Sequence, residues 1–266
     1  MTKLVAFVLL LAACHHDHHH AAAPPTEAAT SAPLTEAGIA IPIAPGKTDA
    51  WEAALHELTG PRYSEYETSR RRFGLTSQTT FVQKTPMGDF ALIHMTGADV
   101  HASFHAMSTS QDPWDVKWRA LTQSLHGVDF AQGERVTPAI VPLYSMEGSA
   151  GGTPFMFLAP LGSDGAARLQ ALAKELATTR HADYVRARTA LGIHREAVFL
   201  ETSAQGEAAV FYWLADEPVA SLRALAASRD PFDVWLRDQL AGVHPIPFDA
   251  IVAIASANTL VGQYPH

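Results

Sequence analysis

Cysteine is almost missing: the 266 residues hold a single one, Cys14. That excludes an intramolecular disulfide, and no paired CxxC spacing for zinc is present. Charge is scarce too, at 17%, and unbalanced, with 19 Lys and Arg against 27 Asp and Glu for a net charge of −8. Nucleic-acid binding relies on Lys and Arg to neutralise phosphates, so that class is excluded, as is a basic face for anionic lipid. There is no glycine-rich phosphate loop and no Ser-His-Asp nucleophile signature. Apolar residues, by contrast, make up 47%. At this length they suit one or two globular domains with an ample core.

One stretch occurs twice. Asp112-Pro113-Trp114-Asp115-Val116 is followed by Arg119 and His126; Asp230-Pro231-Phe232-Asp233-Val234 is followed by Arg237 and His244, each 118 residues on. The same offset relates Pro42 to Pro160, Arg62 to Arg180, Tyr66 to Tyr184, Arg70 to Arg188, Gly74 to Gly192, Phe81 to Phe199, Gly88 to Gly206 and Phe130 to Phe248. A constant offset without a gap means one supersecondary unit used twice. Repeat 1 is assigned to residues 36–145 and repeat 2 to 154–266, with a linker over 146–153.

Residues 1–13 read as an export signal. Lys3 supplies the positive end, and the apolar run 4–11 is too short for the ~20 residues of a spanning helix. The run ends in Leu11-Ala12-Ala13-Cys14, which resembles the bacterial lipobox. The resemblance implies cleavage before Cys14 and a diacylglycerol on its sulfur, with several acyl chains anchoring firmly at ~0.8 kcal/mol per buried CH₂. His15 rather than Asp follows, so the expected location is the bacterial cell envelope, at the periplasmic face of the outer membrane. Residues 14–35 form a disordered tether, with His15, His16, His18, His19 and His20 around Asp17, then alanines, Pro24 and Pro25. Neutral imidazoles bind zinc, nickel or copper. A flexible cluster has no fixed geometry to select a metal, so a solvated linker is the favoured reading.

Each repeat reads β-α-β-β-α-β, the ferredoxin-like order. In repeat 1 the expected strands are 38–43, 79–84, 90–95 and 138–144, with helices over 50–72 (broken at Gly60-Pro61), 98–107 and from Pro113 to a stop at Gly127. In repeat 2 the strands are 155–161, 197–201, 208–214 and 250–256, with helical stretches over 166–191, 218–227 and 231–243. A sheet with helices on one face needs cover on the other, and two such sheets can cover each other. At this point the chain resembles the dimeric α/β-barrel superfamily fused into one polypeptide, the class of antibiotic-biosynthesis monooxygenases, EthD-like proteins and stress-responsive barrel proteins. The resemblance implies an α+β fold in which two ferredoxin-like repeats form one pseudo-symmetric α/β barrel, and it carries over no catalytic residue. With both halves in one chain, a monomer is expected.

The doubled motif has a structural reading. Asp112 and Asp230 cap helices; Asp115 and Asp233 sit in first turns with Arg119 and Arg237 at i+4 for an ion pair; His126 and His244 lie at C-termini where a cation is favoured. A site of Asp115, Arg119 and His126 is the lesser alternative. The stripe Arg62, Tyr66, Arg70 and its twin Arg180, Tyr184, Arg188 can hold an anion, although such stripes more often pack their stems and pair with carboxylates. His101 and His105 are spaced to chelate a metal, but repeat 2 has Val219 and Arg223 there, and no metal site is expected.

The strand interiors supply the ligand-binding candidates. His94 and Tyr212 are equivalent, as are Gln83 and Glu201, each a polar tip in an apolar strand. Facing into a barrel, they would line a mostly apolar pocket with a few polar groups. His94 reads as a base or haem ligand, and equally as a hydrogen-bonded core histidine. The leading expectation is a lipid-anchored envelope protein that binds a small apolar molecule without chemistry and without a cofactor. The alternatives are a cofactor-free monooxygenase-like or haem-using enzyme, and a scaffold whose barrel is filled by its own side chains.

Overall fold

The computed structural model describes residues 33–135, 138–148, 151–203 and 205–265. The signal, the lipobox with Cys14 and the histidine cluster lie outside the described residues. The strands are β1 (Glu36–Pro42), β2 (Leu75–Thr85), β3 (Gly88–Gly97), β4 (Ala139–Met146), β5 (Thr153–Pro160), β6 (Ile193–Ser203), β7 (Gly206–Ala215) and β8 (Thr259–Tyr264). The helices are α1 (Thr48–Thr59), α2 (Tyr63–Arg72), α3 (Val100–Thr109), α4 (Pro113–His126), α5 (Gly165–Ala177), α6 (His181–Ala190), α7 (Pro218–Ala227), α8 (Pro231–Ala241) and α9 (Phe248–Ala255), with a 3-10 turn over Phe130–Arg135.

Local sequence accounts for most of these elements. Trp51, Leu55 and Leu58 place one buried stripe on α1. Asp112 caps α4 by accepting from the Trp114 N–H, Pro113 takes the first helical position, and Gly127 closes the helix at φ 70°. Asp230 caps α8 the same way through Phe232. The hairpins β2–β3 and β6–β7 turn at Gly88 and Gly206, both at positive φ.

The result is a mixed α+β fold with two antiparallel four-stranded sheets, ordered β1-β3-β2-β8 and β4-β6-β7-β5. The last strand of each repeat is exchanged. β8 pairs with β2 of repeat 1, and β4 pairs with β6 of repeat 2. The arrangement is compatible with a dimeric ferredoxin-like fold drawn from one chain. One core cluster draws on both sheets, with Leu92 and Ile39 from one and Phe199 and Val210 from the other. Gly38 lets β1 approach β6, because a Cβ there would stand 2.6 Å from the Phe199 ring.

Two expectations are corrected. The barrel is not closed by a continuous backbone ladder. Instead, side chains cross between the sheets: Gln83 Nε2 donates to the Leu158 carbonyl at 2.9 Å and its Oε1 accepts from the Leu158 N–H at 2.8 Å, while the Ala40 N–H donates to Glu201 at 2.6 Å. A strand edge satisfied by side chains has no need of a neighbouring strand. The second correction is the expected strand over 250–256, which falls in helix α9; the strand comes later, as β8. α9 buries Ile251, Val252 and Ala255 on one face with Asp249 in its first turn. A short apolar run has no periodicity that separates a strand from a buried helix.

Candidate functional site

Two hollows flank the first sheet, one under its helices and one against the second sheet. The first has a volume of about 110 Å³, with Ile39, Ile41, Ile93 and Met95 from the sheet facing Trp51, Phe104, Trp118 and His126 from the helices. Arg70 and Gln78 are among its polar lining residues, with Ser108, Arg119, Thr122 and His126. Arg70 is 4% exposed. Its Nη1 donates to Gln78 Oε1 at 3.1 Å and its Nη2 to Ser69 Oγ at 3.2 Å, and Ser69 donates onward to Asp115 at 2.8 Å. Its Nε has no partner, and neither has Trp51 Nε1. Two buried donors, on residues that line one hollow, are thus left unsatisfied, a costly state. Burial lowers the Arg70 pKa from its usual value.

The twin position in repeat 2 is filled. Arg188 donates to Glu196 at 2.8 Å with both side chains 3% exposed, and the Tyr184 hydroxyl also donates to Glu196. Burial opposes the Arg188 charge, but Glu196 outweighs it and raises the pKa. Arg188 keeps one unpartnered nitrogen, Nη1, yet its charge is met. Where repeat 1 has Ile39, Ile93 and Met95, repeat 2 has Phe157, Phe211 and Trp213. Phe157 stacks on Phe211 at 4.5 Å and meets Trp213 edge-on at 5.3 Å. The cavities there are small, about 30 and 20 Å³.

The second hollow, about 400 Å³, lies between the sheets and is lined by Gln83 and Glu201. Pro42, Phe90, Leu158 and Pro160 form apolar walls, α9 contributes Ile251 and Ile254, and both hairpin tips reach it. Gln83 is fully engaged, since Asn258 also donates to its Oε1 at 3.0 Å. Burial pushes the Glu201 carboxyl up to about 7, against the pull of the Ala40 N–H.

His94 and Tyr212 line neither hollow. Their rings stack on each other at 3.6 Å with 5° between planes. His94 Nε2 donates to Glu36 at 2.5 Å, and Arg195 donates to the other Glu36 oxygen at 2.8 Å. Burial works to raise the Glu36 carboxyl, but His94 and Arg195 outweigh it and hold it low, while burial lowers His94. Of the four candidates, the structure brings Gln83 and Glu201 to one hollow and puts His94 and Tyr212 against each other. Sequence reasoning missed Gln78 and Trp51. The usable signal was the repeat itself, which sets Gln78 opposite Glu196 and Trp51 opposite Leu169.

The doubled motif is structural in a way that differs from expectation. The Asp115–Arg119 ion pair is absent: Asp115 takes Ser69, Ser110 and Arg72, and Arg119 donates to the Met107 and Ser110 carbonyls. Arg237 repeats this on Leu225 and Ser228. His126 and His244 are buried rather than placed as surface cations. Each donates from Nδ1 at 2.8 Å, to Pro42 and Pro160 respectively, and burial lowers both. His101 and His105 are exposed, and no group of three metal-ligating side chains occurs among the described residues. No described helix is long and apolar enough to cross a membrane.

No protein-family model matches the chain, and no curated protein matches it. Three solved structures match the chain weakly. A candidate monooxygenase of Fusobacterium nucleatum matches with TM-score 0.45 and 10% identity, over 88% of this chain and 95% of its own. A candidate monooxygenase of Lactobacillus acidophilus gives 0.40 and 9%, over 80% and 90%. An anthrone oxidase-like protein gives 0.43 and 12%, over 87% and 90%. At these values the likeness says nothing of activity.

Proposed function

We propose that the protein binds a small, largely apolar molecule with an anionic head in the hollow of repeat 1. The observation that carries the reading is Arg70: a buried guanidinium faces an amide at the position where its twin faces a carboxylate, beside a hollow that the twin lacks. A ligand carboxylate would give Arg70 a direct ion-pair partner, where Asp115 now acts only through Ser69, and satisfy Arg70 Nε or Trp51 Nε1, with its tail on Ile93 and Met95. The cell-envelope setting belongs to this proposal and rests on the Leu11 to Cys14 motif. Cys14→Ser is expected to release the protein from membranes, and retention in the membrane fraction would remove the anchor.

Titration calorimetry with hexanoate tests the site. Gln78→Glu gives Arg70 the carboxylate that Arg188 has, and is expected to weaken hexanoate by about tenfold or more, ~1.4 kcal/mol. Unchanged binding by that variant, or equal binding of hexanamide, would sink the reading.

The second reading is a cofactor-free oxygenase, favoured by His126. With its Nδ1–H on Pro42, the unprotonated nitrogen of this hollow-lining histidine is Nε2, which can act as a base. His244 makes the same bond in the filled repeat, so the bond by itself is structural. Oxygen uptake with anthrone, lost in His126→Gln, is the expected sign; no uptake returns the protein to binding alone.

A further inference from the structure

We propose that the hollow between the sheets is a second binding site, one that takes an apolar amine with its ammonium on Glu201. The site is independent of the hollow under the helices and of opposite sign. Its ionisable lining residues are Glu201, buried on β6, and Glu207, exposed on β7. No Lys, Arg or His lines it, and no cation lies within ion-pairing distance of Glu201 among the described residues. The rest of the wall is mostly aliphatic, and at about 400 Å³ it is large enough for a molecule of drug-like size, whose sites span roughly 300–1,000 Å³.

The repeat shows what is unusual about Glu201. Its twin Gln83 uses both ends of its amide on the Leu158 peptide and receives a further bond from Asn258. Glu201 reaches the twin peptide, Ala40, but as a carboxylate it only accepts, and it does so with Oε2 alone. Where repeat 2 supplies Asn258 to Gln83, repeat 1 has Ile140, which donates nothing. Oε1 therefore has no donor among the described residues, in a residue 4% exposed that lines the hollow. A buried carboxylate without a cation is costly, and a ligand that brings its own positive charge removes that cost on binding. An anion is disfavoured by Glu201 and Glu207. A neutral alcohol would supply a hydrogen bond but no charge.

Titration of the full chain with octylamine, octanol and octanoate at pH 8 tests this. Octylamine is expected to bind at least about tenfold more tightly than octanol, with octanoate weakest. Glu201→Gln, which installs the Gln83 chemistry in repeat 2, is expected to lose about tenfold or more in octylamine affinity with an unchanged circular dichroism spectrum. Gln78→Glu, in the other hollow, is expected to leave octylamine unaffected. For native protein the octylamine affinity rises from pH 5 to pH 8 as Glu201 ionises. Equal binding of octanol and octylamine, or native affinity in Glu201→Gln, overturns the proposal. If that variant does not fold, Ala250→Phe on the α9 wall asks the same question by filling the hollow; undiminished octylamine binding there also overturns it.

Discussion

Repeat 1 and repeat 2 share a backbone plan and differ in what their cores do with charge. Below the sheet of repeat 2, Arg188, Glu196 and Tyr184 form a closed, buried set, and Phe157, Phe211 and Trp213 fill the space around it. Below the sheet of repeat 1, the arginine remains, but Gln78 stands in place of the carboxylate and Ile39, Ile93 and Met95 in place of the large rings, leaving about 110 Å³. On the opposite faces of the same strands, Gln83 is satisfied and Glu201 is not. Repeat 1 therefore carries Gln at both positions where repeat 2 carries Glu. One atom type at each position sets the sign of the adjoining hollow: an excess of donor under repeat 1, an excess of acceptor between the sheets. The two repeats therefore differ at a few inward positions on one backbone plan.

The comparison can be broken most severely at Glu196. Glu196→Ala removes one partner of a buried pair and is expected to cost about 3–5 kcal/mol in urea unfolding. The corresponding Gln78→Ala in repeat 1 should cost less, about 1.5–3 kcal/mol, the loss of one hydrogen bond to a charged group. Equal costs would mean that the two arginines are in the same state after all.

Glu201→Gln comes next. The folded-state pKa of Glu201 is raised to about 7 from an ordinary 4.5. Its contribution to stability is fully present below about pH 4.5 and is lost as pH rises through 7. The glutamine variant is expected to be more stable than native by on the order of 3 kcal/mol at pH 8, and to differ little at pH 4. Stability curves of the two proteins between pH 4 and 8 check this. A constant gap across that range would place the carboxyl in water.

Filling repeat 1 with the rings of repeat 2, Ile93→Phe with Met95→Trp, should abolish hexanoate binding at a stability change within about 1–3 kcal/mol, the cost of imperfect repacking. Calorimetry and melting together read both. The smallest effect is expected at the caps. Asp112→Ala and Asp230→Ala should each cost about 1 kcal/mol, and equally, because each cap also pairs with an arginine of an equivalent helix, Arg72 of α2 or Arg186 of α6. A difference beyond about 0.5 kcal/mol would show that the two motifs have diverged in role.

Much of the scaffold was legible. The Asp-Pro caps, the Gly127 stop and the two glycine hairpins are local chemistry, and the constant offset carried each assignment in one repeat to the other. α9 was misread because residues 250–256 are an apolar, β-branched run whose only helical signals, Pro247 and Asp249, precede it. Of the site, Gln83 and Glu201 were legible as polar tips in apolar strands. The stacking of His94 on Tyr212 was not, since which residues of the two sheets meet depends on how the sheets face each other. Arg119 is spaced for Asp115 along α4, but its guanidinium instead reaches the carbonyls of Met107 and Ser110 at the C-terminal end of α3, a contact that helical spacing does not show.

By itself the sequence determined the duplication, the order of most elements and their local ends, because caps, turns and periodic apolar faces act over a few residues. It also held the Gln and Glu exchanges in plain view. Only the tertiary structure decided which sheet each final strand joined, since β4 and β8 carry no local mark of their partner and pairing is a long-range contest of edges. It alone decided that Gln78 lies under helices and Gln83 between sheets. The five-residue spacing puts them on opposite faces of β2, but which face is covered by what is a property of the assembled layers.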